Sequence, residues 1–279
     1  MLNRQVYMLK DYIIKSLIKK NGKFRNIHSG ETCIIMGNGA SIKNISLSDL
    51  NKHPSISINL MVLHKDFSSL NHCAYVLPES YFFYKFFKNP YDKKFKENII
   101  GNLFRRKIRE HGDINLFTSV TNYFGAPISN TYYFHHFGKV TPDRNYVDLS
   151  GIFSMMAGGL YAALGVAVYL GFSRAILVGC DYLMSPREYG HFYSKPRLIQ
   201  KKDTTNAYPE LLEEIKEFID LQILGINSAS KWLDYVDYTN LSSKPIKYKE
   251  NNEIVDEYSL LEMQRAFLDG QFPHKIIEK

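Results

Sequence analysis

The chain has 279 residues, of which 45% are hydrophobic and 23% charged, with a formal net charge of +7. This is enough chain for one large α/β domain, with or without appendages. The positive balance admits an anionic small substrate or an anionic membrane surface as partner, while the lack of any long Lys/Arg block or RNA-binding or zinc-finger spacing puts nucleic acid last.

Residues 4–20 read as an amphipathic helix: Val6, Leu9, Ile13 and Leu17 recur at three- and four-residue steps, Ile14 and Ile18 widen the stripe, and lysines take the other side. Such a helix packs on its own domain or a partner chain, or lies on an anionic bilayer. Asn21-Gly22 is expected to stop it. Thr32–Met36 is a short apolar run of the kind found in buried parallel strands, followed by Gly37-Asn38-Gly39-Ala40-Ser41 and a short polar helix around Ser46–Lys52. Residues 55–58 and 73–77 read as further strands, ending at Asn59 and Pro78-Glu79. Helices are expected within 80–112. Residues 113–150, with strand-like pieces at 115–117 and 132–135, are expected to be an insertion covering the active face, a lid. Residues 157–170 are apolar nearly all round, so this helix should be buried, with Gly171 ending it. Ala175–Gly179 reads as a strand with Asp181 beyond its end, then a mobile segment at 183–206, an acidic helix near 209–224 and a last helix near 257–268. The alternation of strand and helix predicts a doubly wound, mostly parallel, Rossmann-like sheet. Residues 1–29 form an N-terminal helix and linker, 30–240 the catalytic domain and 241–279 a helical tail.

Cys33, Cys73 and Cys180 lie in or beside apolar runs without C-x-x-C spacing. That predicts reduced thiols and a cytoplasmic chain. No run of about 18 apolar residues and no signal peptide is seen, so any membrane contact is expected to be peripheral, on the inner face.

In open α/β sheets ligands collect beyond the carboxyl ends of the strands. Gly37 and Gly39 let a backbone approach a ligand closely, and Ser41 adds a hydroxyl, so the loop reads either as a phosphate cradle or as a plain tight turn. It is neither G-x-G-x-x-G nor a Walker A loop, which disfavours a dinucleotide. Asn59 could bond a base or ribose. Asp181 could bind a sugar hydroxyl, hold a metal or cap the next segment. His191, in Tyr189-Gly190-His191-Phe192-Tyr193, can serve as general base near neutral pH. His135-His136 is a second histidine candidate in a strand-like setting. No G-x-S-x-G and no D-x-D triplet is present.

Cys33–Asn44 (C-I-I-M-G-N-G-A-S-I-K-N) and Gly158–Asp181 (G-G-L-Y-A-A-L-G-V-A-V-Y-L-G-F-S-R-A-I-L-V-G-C-D) resemble the bacterial sialyltransferases of glycosyltransferase family forty-two and the related MptE-like and motility-associated-factor domains. The resemblance implies a CMP-linked sugar donor, a histidine base, tyrosines near the leaving phosphate and no metal cofactor. On this chain it implies nucleotide contacts at Gly37, Asn38, Gly39, Ser41 and Asn59, His191 as base, and Tyr189 or Tyr193 at the phosphate; Gly158, Gly159 and Asp181 join them as nucleotide-contact candidates from their place in the chain. The chain departs from the family pattern at Leu77, Met156, Gly158-Gly159 and the Gly-Ala-Ser loop, where the family has an asparagine, an arginine, a threonine-serine or serine-glycine type pair and Gly-Pro-Ser. The implied reaction is inverting transfer of a sugar, such as an ulosonic acid, to a cell-surface glycan or glycolipid of the lipopolysaccharide or capsule type. Two further readings remain: an MptE-like diphosphokinase using ATP and Mg²⁺, and a non-catalytic nucleotide-binding protein of glycan assembly. A homo-oligomer is compatible with each.

Overall fold

The computed structural model describes residues 2–84, 98–135, 147–155, 157–186, 190–194, 208–226, 229–242 and 244–268. In chain order the elements are α1 (Leu2–Lys19), β1 (Thr32–Met36), β2 (Pro54–Ile58), β3 (Asn71–Val76), α2 (Ile99–Arg109), β4 (Leu116–Ser119), β5 (Thr131–Phe134), α3 (Gly159–Leu170), β6 (Arg174–Val178), β7 (Met184–Ser185), α4 (Pro209–Ile215), β8 (Asp220–Gly225), β9 (Ala229–Ser230), β10 (Asp234–Asp237), α5 (Tyr238–Leu241), α6 (Asn251–Ile254) and α7 (Glu257–Leu268). Eight strands form one sheet in the order β10-β8-β6-β1-β2-β3-β4-β5, and every pairing is parallel. β7 and β9 make a separate antiparallel pair.

Both faces of this sheet are covered, and the strand sequences explain it. Cys33, Ile35, Ile56, Ile58, Val76 and Phe117 point into one core with α3. Their neighbours Ile34, Met36, Tyr75, Leu77 and Leu116 point into the other, with Phe67, Phe104 and the C-terminal Met263 and Ala266. Successive side chains alternate across a pleat, so a run apolar at every position fits a sheet buried on both sides. α3 is buried almost throughout, and Gly171 ends it in a left-handed conformation at φ 93°.

Three expectations change. Within the span 113–150, expected to be an insertion, residues 116–134 belong to the main sheet. Their strands β4 and β5 extend the main sheet, because Leu116–Ser119 is buried along its length and pairs with both β3 and β5. The predicted helix over 209–224 ends at Ile215, and Asp220–Gly225 is strand β8, whose backbone completes the edge of β6. Sheet pairing there overrides a helix-compatible spacing. In place of the helix near 46–52 there are two 3-10 turns, Ala40–Asn44 and Leu47–Leu50, in a stretch whose Ser46, Ser48 and Asp49 bond locally or to distant side chains. β10 carries too few apolar residues for the sequence to reveal it.

The N-terminal segment is tied into the core. Ile18 is buried, and the fully buried Asn21 donates its amide to the carbonyl oxygens of Tyr133 (2.7 Å) and Leu149 (2.6 Å). Phe24 packs edge-on against Phe117 and Tyr132. Tyr12 and Ile13 are exposed on α1, and the side chains of Val6 and Leu9 lie outside the described residues. Among the described residues no helix is long and apolar enough to cross a membrane.

Candidate functional site

The chain leaves β1 in one direction, through β2 to β5, and returns through α3 to β6 on the other side of β1. The strand order therefore reverses at β1, and the crevice beyond its carboxyl end is where an open α/β sheet binds ligands. The glycine loop leaves β1 at this point. Its backbone prolongs the β1–β6 ladder, with the Gly37 amide donating to the Val178 carbonyl and the Gly39 amide to the Gly179 carbonyl, each at 2.7 Å. The close approach explains the glycines. A Cβ on Gly37 would lie 2.5 Å from the Gly179 oxygen, and one on Gly39 would fall on the Asp181 carboxylate.

Asp181 sits at the end of β6 and is buried. Its carboxylate accepts the Ser41 amide at 2.8 Å and also the Ser41 hydroxyl. Both Ser41 donors are thus committed to a protein carboxylate. No α-helix follows this loop to offer a row of free amides; the turn after it is the 3-10 segment Ala40–Asn44. Asp181 fixes the loop's shape across the switch point. Asn38 is buried, its amide reaching the Ile58 carbonyl at 3.4 Å while its Oδ1 has no partner.

The segment 190–194 folds back onto this loop. His191 and Gly39 form an antiparallel bridge, and the Phe192 amide donates to the Asn38 carbonyl at 3.1 Å. The turn is closed by the Ser194 amide on the His191 carbonyl at 2.9 Å. The His191 ring lies 5.0 Å from the Tyr193 ring. His191 is half-buried, whereas Phe192 and Tyr193 are buried. Tyr189 lies outside the described residues. His135 follows β5, four strands from β1, or about 19 Å away at the usual strand spacing. His136 lies outside the described residues.

On the other side of β1, Asn59 leaves β2 with a left-handed backbone at φ 53°, and the Tyr75 hydroxyl donates to its carbonyl at 2.5 Å. Its side chain faces the start of α3, since a Cβ on Gly159 would be 3.0 Å from Asn59 Oδ1. Gly158, at φ 99°, turns the chain into that helix. Glu79, beyond β3, completes the group. Its carboxyl lies near the Gly159 amide at the α3 N-terminus, its Oε2 is sealed and unpartnered, and burial pushes its pKa up to about 7. The loop bearing it is rigid: Thr118 Oγ1 donates to the Leu77 carbonyl at 2.6 Å and the fully buried Asn122 donates to the Pro78 carbonyl at 3.0 Å. The sequence marks Glu79 as a strand-end residue, but its burial depends on α3, eighty residues later.

Cys33, Cys73 and Cys180 are free, and burial raises each thiol, Cys73 to about 12, so none is poised as a thiolate. Among the described residues, no group of three or more His, Cys, Asp or Glu side chains is arranged to hold a metal ion.

Neither a family model nor a curated protein matches the chain. Among solved structures it is similar to the sialyltransferase CstII from Campylobacter jejuni in complex with a substrate analogue, cytidine-5'-monophosphate, at 17% identity and a TM-score of 0.45, covering 85% of this chain and 98% of that one. It is similar also to the sialyltransferase CST-II in complex with trisaccharide acceptor and CMP, at 16% identity and a TM-score of 0.45, covering 85% of this chain and 99% of that one. A likeness this distant assigns no role to any residue here.

Proposed function

We propose that this chain is a glycosyltransferase that moves a sugar from a CMP-linked donor to a glycan or glycolipid hydroxyl, with His191 as general base. The observation that carries the reading is the bridge between His191 and Gly39 at the switch point of the sheet. It brings a titratable ring to the loop where a nucleotide would lie. The resemblance of Cys33–Asn44 and Gly158–Asp181 to the sialyltransferase-type pattern supports the donor class.

In the proposed step, a His191 ring nitrogen takes the proton of the acceptor hydroxyl as its oxygen attacks the anomeric carbon. The bond from that carbon to the donor phosphate oxygen breaks on the opposite face, CMP leaves with the electron pair, and the configuration inverts. The Tyr193 hydroxyl, or that of Tyr189, would stabilise the leaving phosphate. Asn38 and Gly39 would border the phosphate, while Asn59, Glu79 and the Gly158-Gly159 turn would receive the nucleoside. Asp181 and Ser41 would hold the loop in shape rather than grip the ligand, because each occupies the other.

Calorimetry of CMP, UDP, GDP and ATP with and without Mg²⁺, followed by donor turnover with an acceptor extract, tests this. CMP binding without metal and turnover lowered roughly 10²–10⁴-fold in His191→Ala, with donor affinity kept, is the expected result. Binding of ATP alone, dependent on Mg²⁺, would replace the reading with a diphosphokinase. Nucleotide binding with no turnover of any donor would leave a binding protein.

A further inference from the structure

The segment from Lys244 to Ile254 runs along the turn that follows the glycine loop and reaches Ser194, which closes the His191 turn. Its start is anchored on Asp49, which receives Lys244 Nζ at 2.8 Å and the Ser242 hydroxyl at 2.6 Å. Its end is anchored on Lys65, whose amide donates to the Ile254 carbonyl at 2.7 Å and whose Nζ donates to the Asn252 carbonyl at 2.6 Å. Between these anchors the chain runs without helix or strand over 245–250 and then enters α6. The Lys247 amide donates to the Asn44 carbonyl at 3.2 Å and the Lys249 amide to the Lys43 carbonyl at 2.9 Å. It is therefore stitched to the turn that follows the glycine loop.

Two side chains from this junction meet at one atom. The Ser194 carbonyl accepts Lys43 Nζ at 3.1 Å and Asn251 Nδ2 at 2.9 Å. Lys43 is 2% exposed, an unusual burial for a lysine, and Asn251 Oδ1 is sealed. A capping box formed by Glu250 and Glu253 fixes the start of α6 and so the direction of Asn251. Ser194 in turn closes the His191 turn, through its amide to the His191 carbonyl and through its hydroxyl, which accepts the His191 amide at 3.3 Å. His64, bridged to Val255, adds a ring 5.7 Å from Phe192.

We propose that residues 244–254 are a positioning strap, in which Asn251 and Lys43 hold the Ser194 carbonyl and thereby set the place of His191 over the glycine loop. This rests on His191 being the general base. Neither Asn251 nor Lys43 touches the reacting atoms; they act through Ser194. A base displaced by about 1 Å loses rate on the order of 10²-fold without losing the nucleotide.

Asn251→Asp is the decisive variant, because it keeps the shape and removes the donor. We expect kcat to fall at least tenfold with the donor KM within twofold of wild type, and Lys43→Arg, which keeps a donor, to retain most of the rate while Lys43→Met does not. Circular dichroism and melting curves confirm that each variant is folded at the assay temperature. Asn251→Asp turning over at the wild-type rate, or losing kcat and donor affinity in parallel, would overturn the strap. His191→Ala is run alongside. If it loses turnover while Asn251→Asp does not, only the strap falls; if it keeps turnover, the reading of His191 falls and takes the strap with it.

Discussion

Glu79→Gln isolates the energetic consequence of seating a carboxyl at the start of α3. In the folded chain burial raises the Glu79 pKa from 4.5 to about 7. The folded state therefore holds this proton more tightly than the unfolded one. Stability from the group is fully present below about 4.5 and is lost as pH rises through about 7. The difference of roughly 2.5 units corresponds to about 3 kcal/mol between pH 4 and pH 8. His64 and His72, both lowered by burial to about 4, act in the opposite sense: their contribution is present above 6.5 and is lost as pH falls through about 4. A melting profile of the wild type alone would blend these opposed trends. The difference between wild type and Glu79→Gln removes the histidines, since both proteins carry them. Glutamine keeps an oxygen for the Gly159 amide and cannot ionise. The variant should gain on the wild type between pH 4 and pH 8 by about 3 kcal/mol, or roughly 6 °C for a chain of this length. Differential scanning calorimetry at half-unit pH steps gives the answer. Parallel curves across that range would refute the argument and mean that Glu79 ionises without penalty.

Gly39→Ala places a methyl group on the Asp181 carboxylate at an ordinary φ of −60°, so the cost is steric rather than torsional. Displacing Asp181 forfeits both Ser41 bonds, about 1.5–3 kcal/mol for each bond to a charged group, and nucleotide affinity should drop more than tenfold by calorimetry. Unchanged melting and affinity would reduce the loop to a plain turn. Deleting residues 1–16 should leave a folded chain that binds anionic vesicles less well than the full chain, because Tyr12 and Ile13 are exposed beside Lys15. Extending the deletion through residue 22 removes Ile18 and Asn21 and leaves two buried carbonyls unpaired, at about 1–3 kcal/mol each. Equal melting temperatures for the two truncations would contradict that difference.

The strands bordering the crevice were the most legible part of the sequence. β1 and β6 are short apolar runs, β2 alternates serine with isoleucine and β3 is apolar over its second half, and all four stop at a glycine, asparagine or proline, a pattern legible from local composition. α3 was equally plain, since a helix apolar all round has nowhere to go but the interior. β8 and β10 were not legible: Asp220, Gln222 and Asp234 interrupt their patterns, and their strand form comes from pairing with residues far away. Of the site, the glycine loop, Asn59, Asp181 and His191 could all be singled out as residues beyond strand ends. Their mutual arrangement could not. That Asp181 occupies Ser41, that Gly39 bridges His191 and that Glu79 reaches α3 are long-range facts with no local signature. Asn21 reads locally as a helix stop, which it is, but its tie from the end of α1 to β5 and the 147–149 turn has no local signature.

The order of strands also dictates when the site can exist during synthesis. β1 pairs on one side with β2, about twenty residues later, and on the other with β6, some 140 residues later. Until β6 has left the ribosome, Thr32–Met36 is an open edge with almost every side chain apolar, the kind of surface that recruits a second chain. The glycine loop then has neither the Gly179 carbonyl that holds Gly39 nor the Asp181 carboxylate that holds Ser41. A nascent chain halted before residue 174 would therefore carry half of the proposed crevice and an adhesive strand beside it. Covering that edge and shaping the glycine loop are one event, so newly made chains should gain the ordered loop at the same length at which β1 ceases to be an open edge.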